Sequence, residues 1–189
     1  MILTITAAML FAKFKHFKIK YLFLSWTFYP IIFLECVVTF FQINVFMGNY
    51  YFIQFAPILK TVYQFAYLIP VFAFGLYKPA LIGSCSIFLG TLMNKFVIAQ
   101  NNGEMPVYPS LSYLTGYIKP DTFHQVQDNL HALGSTQVHW KFLSDYIDVG
   151  YSILSPGDVL IHFFSFLILY ETIKALNLRH ASTNENNQK

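Results

Sequence analysis

Between Pro79 and Ala99 the chain reads PALIGSCSIFLGTLMNKFVIA, with a single formal charge, at Lys95. As a helix, a stretch of that length and polarity covers the roughly 30 Å hydrocarbon core of a bilayer. Similar apolar runs occur at about 21–47, 55–77 and 157–178, and a shorter one occupies 1–12. Only 11% of the residues are charged and 56% are hydrophobic, against about 25% charged in an ordinary soluble domain. The reading is an all-α membrane protein with four transmembrane helices plus a short N-terminal fifth. One long outer loop, 101–155, is expected to contain a short amphipathic helix. Residues 1–178 then form a single membrane domain, and the polar stretch 179–189 is expected to be a disordered cytoplasmic tail. At roughly 1.5 Å per residue the first segment is too short to span unaided.

Cationic side chains in short loops stay on the cytoplasmic side, which sets the orientation. Lys13, Lys15, Lys18 and Lys20 fill one connection, Lys78 sits in a tight turn, and Lys174, Arg179 and Lys189 follow the last span. With five crossings all of these fall on one side. The opposite side receives the long loop, where two lysines face five carboxylates for a formal balance of −3. This places the amino terminus and the loop outside and the carboxyl terminus in the cytoplasm. Lys13 to Lys20 follow the first apolar run instead of preceding it, so a cleaved secretory signal is not expected. Cys36 and Cys85 fall inside spans, which leaves no disulfide framework, and both are expected to be core residues. Basic residues are too few for nucleic acid to be a partner.

Ionisable residues in hydrocarbon are costly and therefore mark candidate sites. Glu35, Thr39 and Gln42 share one helix face by spacing, as do Lys60, Gln64 and Tyr67 on the next span. Gly83, Gly90 and Asn94 form a small-residue stripe with Lys95 beside it, and Asp158, His162 and Ser165 share a face of the last span. Glu35, Lys60, Gln64, Asn94, Lys95, Asp158 and His162 are thus the candidate ligand-binding residues. They could line an outward-facing polar pocket, or they could pair with one another and only hold the bundle together. In the first case Lys60 and Lys95 would attract an anionic group while Asp158 and His162 tuned the local charge.

In the loop, Asp121 could cap a helix whose apolar face is Phe123, Val126, Leu130 and Leu133. His124, Asp128 and His131 would fall on its other face, at a spacing that could hold a transition metal. The polar face of an amphipathic helix has the same pattern without metal, which is the expectation here. No cofactor is expected. No phosphate loop, His-Glu-x-x-His helix or Gly-x-Ser-x-Gly elbow is present in the sequence.

Two punctuated stretches border the loop: Asn101-Asn102-Gly103-Glu104-Met105-Pro106-Val107 and Ser155-Pro156-Gly157-Asp158-Val159. With Leu92-Met93-Asn94 and Phe142-Leu143-Ser144-Asp145-Tyr146-Ile147, they make the chain resemble a family of uncharacterised bacterial membrane proteins classed as a domain of unknown function. That family shows an Asn-Gly-Gly-x-Met-Pro-Val stretch, a Leu-Gly-Asp-x-Ile stretch and a Gly-Asp-Val start to its last span. In this chain Asn102 stands where a first Gly is expected, and Ser144 replaces the Gly before Asp145. The resemblance implies a bacterial cytoplasmic-membrane location and assigns no activity.

The leading functional expectation is binding or transport of a small molecule or lipid headgroup. The alternatives are a membrane enzyme acting on a lipid-linked substrate and a non-catalytic subunit of a membrane complex or importer. The partners expected are the bilayer, a small molecule or lipid headgroup, and another membrane protein.

Overall fold

The computed structural model describes residues 2–119, 122 and 130–186. Helix α1 spans Ile2–Phe14, and a short α2, Lys20–Phe23, leads through a 3-10 turn at Trp26–Phe28 into α3, Tyr29–Phe46. A 3-10 turn at Tyr51–Phe55 precedes α4, Ala56–Ala66, and α5, Leu68–Phe74. Helix α6 covers Tyr77–Gln100, a short α7 covers Leu111–Thr115, and α8 runs from Pro156 to Asn186. Among the described residues four segments are long and apolar enough to cross a membrane: Trp26–Phe46, Tyr51–Phe74, Tyr77–Gln100 and Pro156–Thr183. The shorter α1 accompanies them, so the chain is a predominantly helical membrane protein with a short amino-terminal helix.

The chain divides into two compact units, each assembled from separate stretches. The first contains Met1–Cys36, Leu59–Cys85 and His162–Lys189, and the second contains Val37–Ile58 and Ser86–Ile161.

In the first unit α1 lies along α8. Thr4 Oγ1 is 3.0 Å from His162 Nδ1, Phe11 meets the rings of Phe166 and Tyr170, and Asn177 holds both the N–H and the carbonyl of Lys18. The partner numbers rise together, so the two helices run parallel. Ala8 and Ala12 are fully buried, and their small side chains permit the close approach. The Tyr51–Phe74 span breaks at Tyr67, whose N–H donates to Gln64 O at 3.2 Å in a tightened turn. Pro70 explains the break: it has no N–H to offer the Ala66 carbonyl one turn back. Helix α5 ends at Gly75, which has φ +67, a conformation that glycine adopts without strain.

Helix α8 continues to Asn186, through most of the polar stretch that follows the last span. Two contacts dock that extension. Arg179 donates to Ala73 O at 3.0 Å and lies over the Phe74 ring, and His180 stacks on Tyr21 at 3.9 Å between ring centroids. The thiols also depart from expectation, since Cys36 and Cys85 are both exposed on the helix surfaces and not in the core.

In the second unit the long loop carries its own structure. Met105–Val107 pairs in parallel with His131–Leu133, and Ile147–Asp148 pairs antiparallel with Ile153–Leu154. The expected loop helix is therefore corrected at its end. His131 and Leu133 are in a strand, because Met105 N–H donates to Leu130 O and Gly134 N–H donates to Val107 O. Most of that helix, including Asp121, Phe123, His124, Val126 and Asp128, lies outside the described residues.

Candidate ligand site in the loop unit

The loop's short strands exist to be paired. Pro106 lacks an N–H, but its carbonyl accepts the N–H of Asp145 at 3.0 Å, and the N–H of Tyr108 donates back to Asp145 O at 2.7 Å. Asp145 is thereby clamped beside Val107 by its backbone. Ser144 before it is fully buried, and its hydroxyl closes the Lys141–Leu143 turn onto Lys141 O. Its φ of −79 needs no glycine. Asn102 does take the left-handed conformation, with φ 59, which asparagine tolerates better than most residues.

The clamp points Asp145 into a cavity of about 220 Å³ lined by Val45, Val107, Tyr117, Thr122, His131 and Ile153 among others. The Asp145 side chain is 7% exposed, and its Oδ2 lies 3.8 Å from His131 Nε2. Thr122 Oγ1 accepts the Lys119 N–H at 2.8 Å and shares a hydrogen bond with the Tyr50 hydroxyl at 3.1 Å. Burial pushes the Tyr117 hydroxyl up to about 12, so it stays a neutral donor at physiological pH. The site is an apolar pouch with a buried carboxylate, an imidazole and hydroxyls on its wall. No lysine is among the described residues that line it.

Asp148, three residues after Asp145, has a structural task instead. Its carboxylate accepts the Ser112 hydroxyl at 2.6 Å, the N–H groups of Ser110 and Ser112 at 2.7 and 2.8 Å, and the Gly150 N–H at 2.8 Å. Partial burial opposes the charged form, but these bonds outweigh it and hold the carboxyl below its ordinary value.

The seven residues singled out from the spans fall into two groups. Asn94, Lys95 and Asp158 belong to the loop unit, whereas Glu35, Lys60, Gln64 and His162 belong to the other. Asn94 and Asp158 meet Ser155 in a reciprocal cap at the start of α8. Asp158 N–H donates to Ser155 Oγ at 2.9 Å, Ser155 N–H to Asp158 Oδ2 at 3.3 Å, Ser155 Oγ to Asn94 Oδ1 at 2.8 Å, and Asn94 Nδ2 to Asp158 Oδ1 at 3.1 Å. This is a capping box with an amide from α6 inserted across it. Lys95, next along α6, is exposed.

In the first unit Glu35 is buried and accepts a hydrogen bond from the Tyr63 hydroxyl at 2.8 Å. Tyr63 in turn lies 3.4 Å from the Tyr67 hydroxyl, and Tyr67 bonds Ser165. Lys60 is exposed and Gln64 is half-buried. Helical spacing marks Tyr67 but not Tyr63, for which two tyrosines four residues apart in an apolar span are the available signal. Asp145 entered the sequence reading only as a loop charge and through the family resemblance, because a single Asp between Ser and Tyr has no periodicity to mark it. Of the metal candidates, His131 borders the cavity, and His124 and Asp128 lie outside the described residues.

Four membrane-length helices, a short fifth and a folded loop with a partly open cavity define a multi-pass helical membrane protein. Residues 17–170 match the family of unknown function DUF5317, and the chain belongs to that family. No curated protein and no solved structure matches it.

Proposed function

We infer that this protein is a membrane-embedded binding protein whose loop cavity takes a small organic cation. The observation that carries the reading is the Asp145 carboxylate, buried in a pouch whose walls are otherwise largely apolar. A ligand ammonium beside the Asp145–His131 pair, with apolar carbons on Val45, Val107 and Ile153, suits both halves of the lining. The loop's formal balance of −3 favours the approach of a cation. Size narrows the class, since about 220 Å³ is below the roughly 300–1,000 Å³ of sites for drug-sized ligands.

The test is a thermal-shift titration of the detergent-solubilised protein with alkylammonium chlorides from methyl to hexyl, against the matching sodium carboxylates. The expected outcome is stabilisation by the ammonium series with an optimum chain length, lost in Asp145→Asn. Equal response to both series, or a response unchanged in Asp145→Asn, would sink the reading.

A further inference from the structure

A second surface of the loop unit is independent of the cavity. Trp140, Phe142 and Tyr146 are 47%, 60% and 45% exposed, and with Tyr108 and Lys141 they line an open, almost wholly apolar cleft. Trp140 sits at φ 58, a conformation rare for a bulky side chain, which persists only where surrounding structure imposes it. Here the imposing contacts are aromatic. Its ring packs edge-on against Phe96 at 5.2 Å and tilts against Phe142 at 5.7 Å.

Phe96 connects this patch to the span. On α6 the exposed residues Phe88, Leu92 and Phe96 recur every four positions, so they form one stripe along the helix. In a helix that crosses a bilayer, an exposed apolar stripe of this kind faces lipid. Phe96 lies about one turn before the helix ends at Gln100, so the Trp140 ring continues the lipid-facing stripe at the level where the span leaves the hydrocarbon. Tryptophan and tyrosine concentrate at that level because their rings are apolar and their N–H and O–H groups need polar partners. Lys141 has its ammonium 4.4 Å from the Tyr108 ring centroid, and a lysine at this depth can reach phosphate oxygens while its stem stays apolar.

We propose that the Trp140–Tyr146 segment is an interfacial membrane contact, its aromatic cleft filled by the glycerol and upper acyl-chain region of the surrounding phospholipids. The bilayer is the occupant because the patch is continuous with a surface that already faces it.

The chain has two tryptophans, and Trp26→Phe leaves Trp140 as the sole emitter. This variant is reconstituted into phosphatidylcholine vesicles whose acyl chains carry bromine either at carbons near the glycerol or near the chain ends. The expected result is that Trp140 loses most of its fluorescence to the shallow bromines, less to the deep ones, and little to iodide in the water. Strong quenching by iodide without quenching by bromolipid overturns the proposal, because the patch is then in water. Shielding from both quenchers also overturns it, because a protein surface then covers the patch. Should Trp26→Phe fail to fold, Phe142→Cys in a chain lacking Cys36 and Cys85, labelled with an environment-sensitive dye, gives the same decision. Emission shifted to the blue in vesicles and quenched by shallow bromolipid supports the contact, and water-like emission overturns it.

Discussion

Tyr63 shows what one hydroxyl can decide inside a membrane span. Its O–H donates to Glu35 Oε2 at 2.8 Å within apolar helices. Double-mutant cycles in a membrane protein value such side-chain bonds at about 0.6 kcal/mol on average and roughly 1.7 kcal/mol at most. A cycle of Tyr63→Phe and Glu35→Leu, read by thermal unfolding in detergent, is expected to give a coupling within that range. Zero coupling would show the pair to be incidental. Asp148 permits a sharper statement, because its pH dependence has a defined sign. Its folded-state carboxyl is held below the ordinary value, close to 3.9 in an unfolded chain. The stability it contributes is therefore present above pH of about 4 and is lost as pH falls through the folded value. Asp148→Asn should melt earlier than the parent at pH 7, and the gap should narrow steadily in acid. A gap of constant size down to pH of about 3 would contradict the hydrogen-bond account.

At the scale of the element, the start of α8 is held by residues that local sequence rules can recognise. Ser155 and Asp158 stand three apart with Pro156 between them at the first helical position, a pattern that predicts a helix start from sequence alone. What the sequence does not show is the third member, Asn94, which is 61 positions away from Ser155. Close packing makes that contact possible. A Cβ on Gly90 or Gly157 would collide with backbone oxygen across the α6–α8 contact. Removing a cap costs about 0.5–2 kcal/mol, and Ser155→Ala takes away both the cap and the Asn94 partner. Asn94→Ala leaves the box itself intact. The larger fall in melting temperature is thus expected for Ser155→Ala, and the reverse order would mean that the interhelical amide, not the cap, sets the stability. The loop illustrates the opposite case. The helical spacing of Phe123, Val126, Leu130 and Leu133 extends a helix to a place where Met105–Val107 supplies backbone partners, and at His131–Leu133 strand pairing prevails over periodicity.

For the whole molecule, the spans were legible because twenty apolar residues in a row have few soluble explanations. The break at Tyr67 could have been read from Pro70. The division of the intramembrane polar residues between two units could not, since helical spacing tells which residues share a face and nothing about which face meets which. Orientation remains a sequence argument, now with a geometric companion, because the parallel course of α1 and α8 starts both helices on one side if both enter the bilayer. Single cysteines at Thr136 and Ser182, in a chain lacking Cys36 and Cys85, should respond oppositely to an impermeant thiol reagent added outside cells. Position 136 is expected to label and 182 to stay protected. Labelling at 182 alone would reverse the assignment made from the lysines.

That parallel pair also has a history in time. Thr4 and His162 are separated by 158 positions, and at about 5–20 residues per second the ribosome needs roughly 8–30 s to make the second after the first. For that interval α1, a single helix of 13 residues, has none of the α8 rings, imidazole or amide that later hold it. Helix α1 is thus made well before the partner that seats it, and in the meantime its own apolar surface or the insertion machinery has to keep it at the membrane.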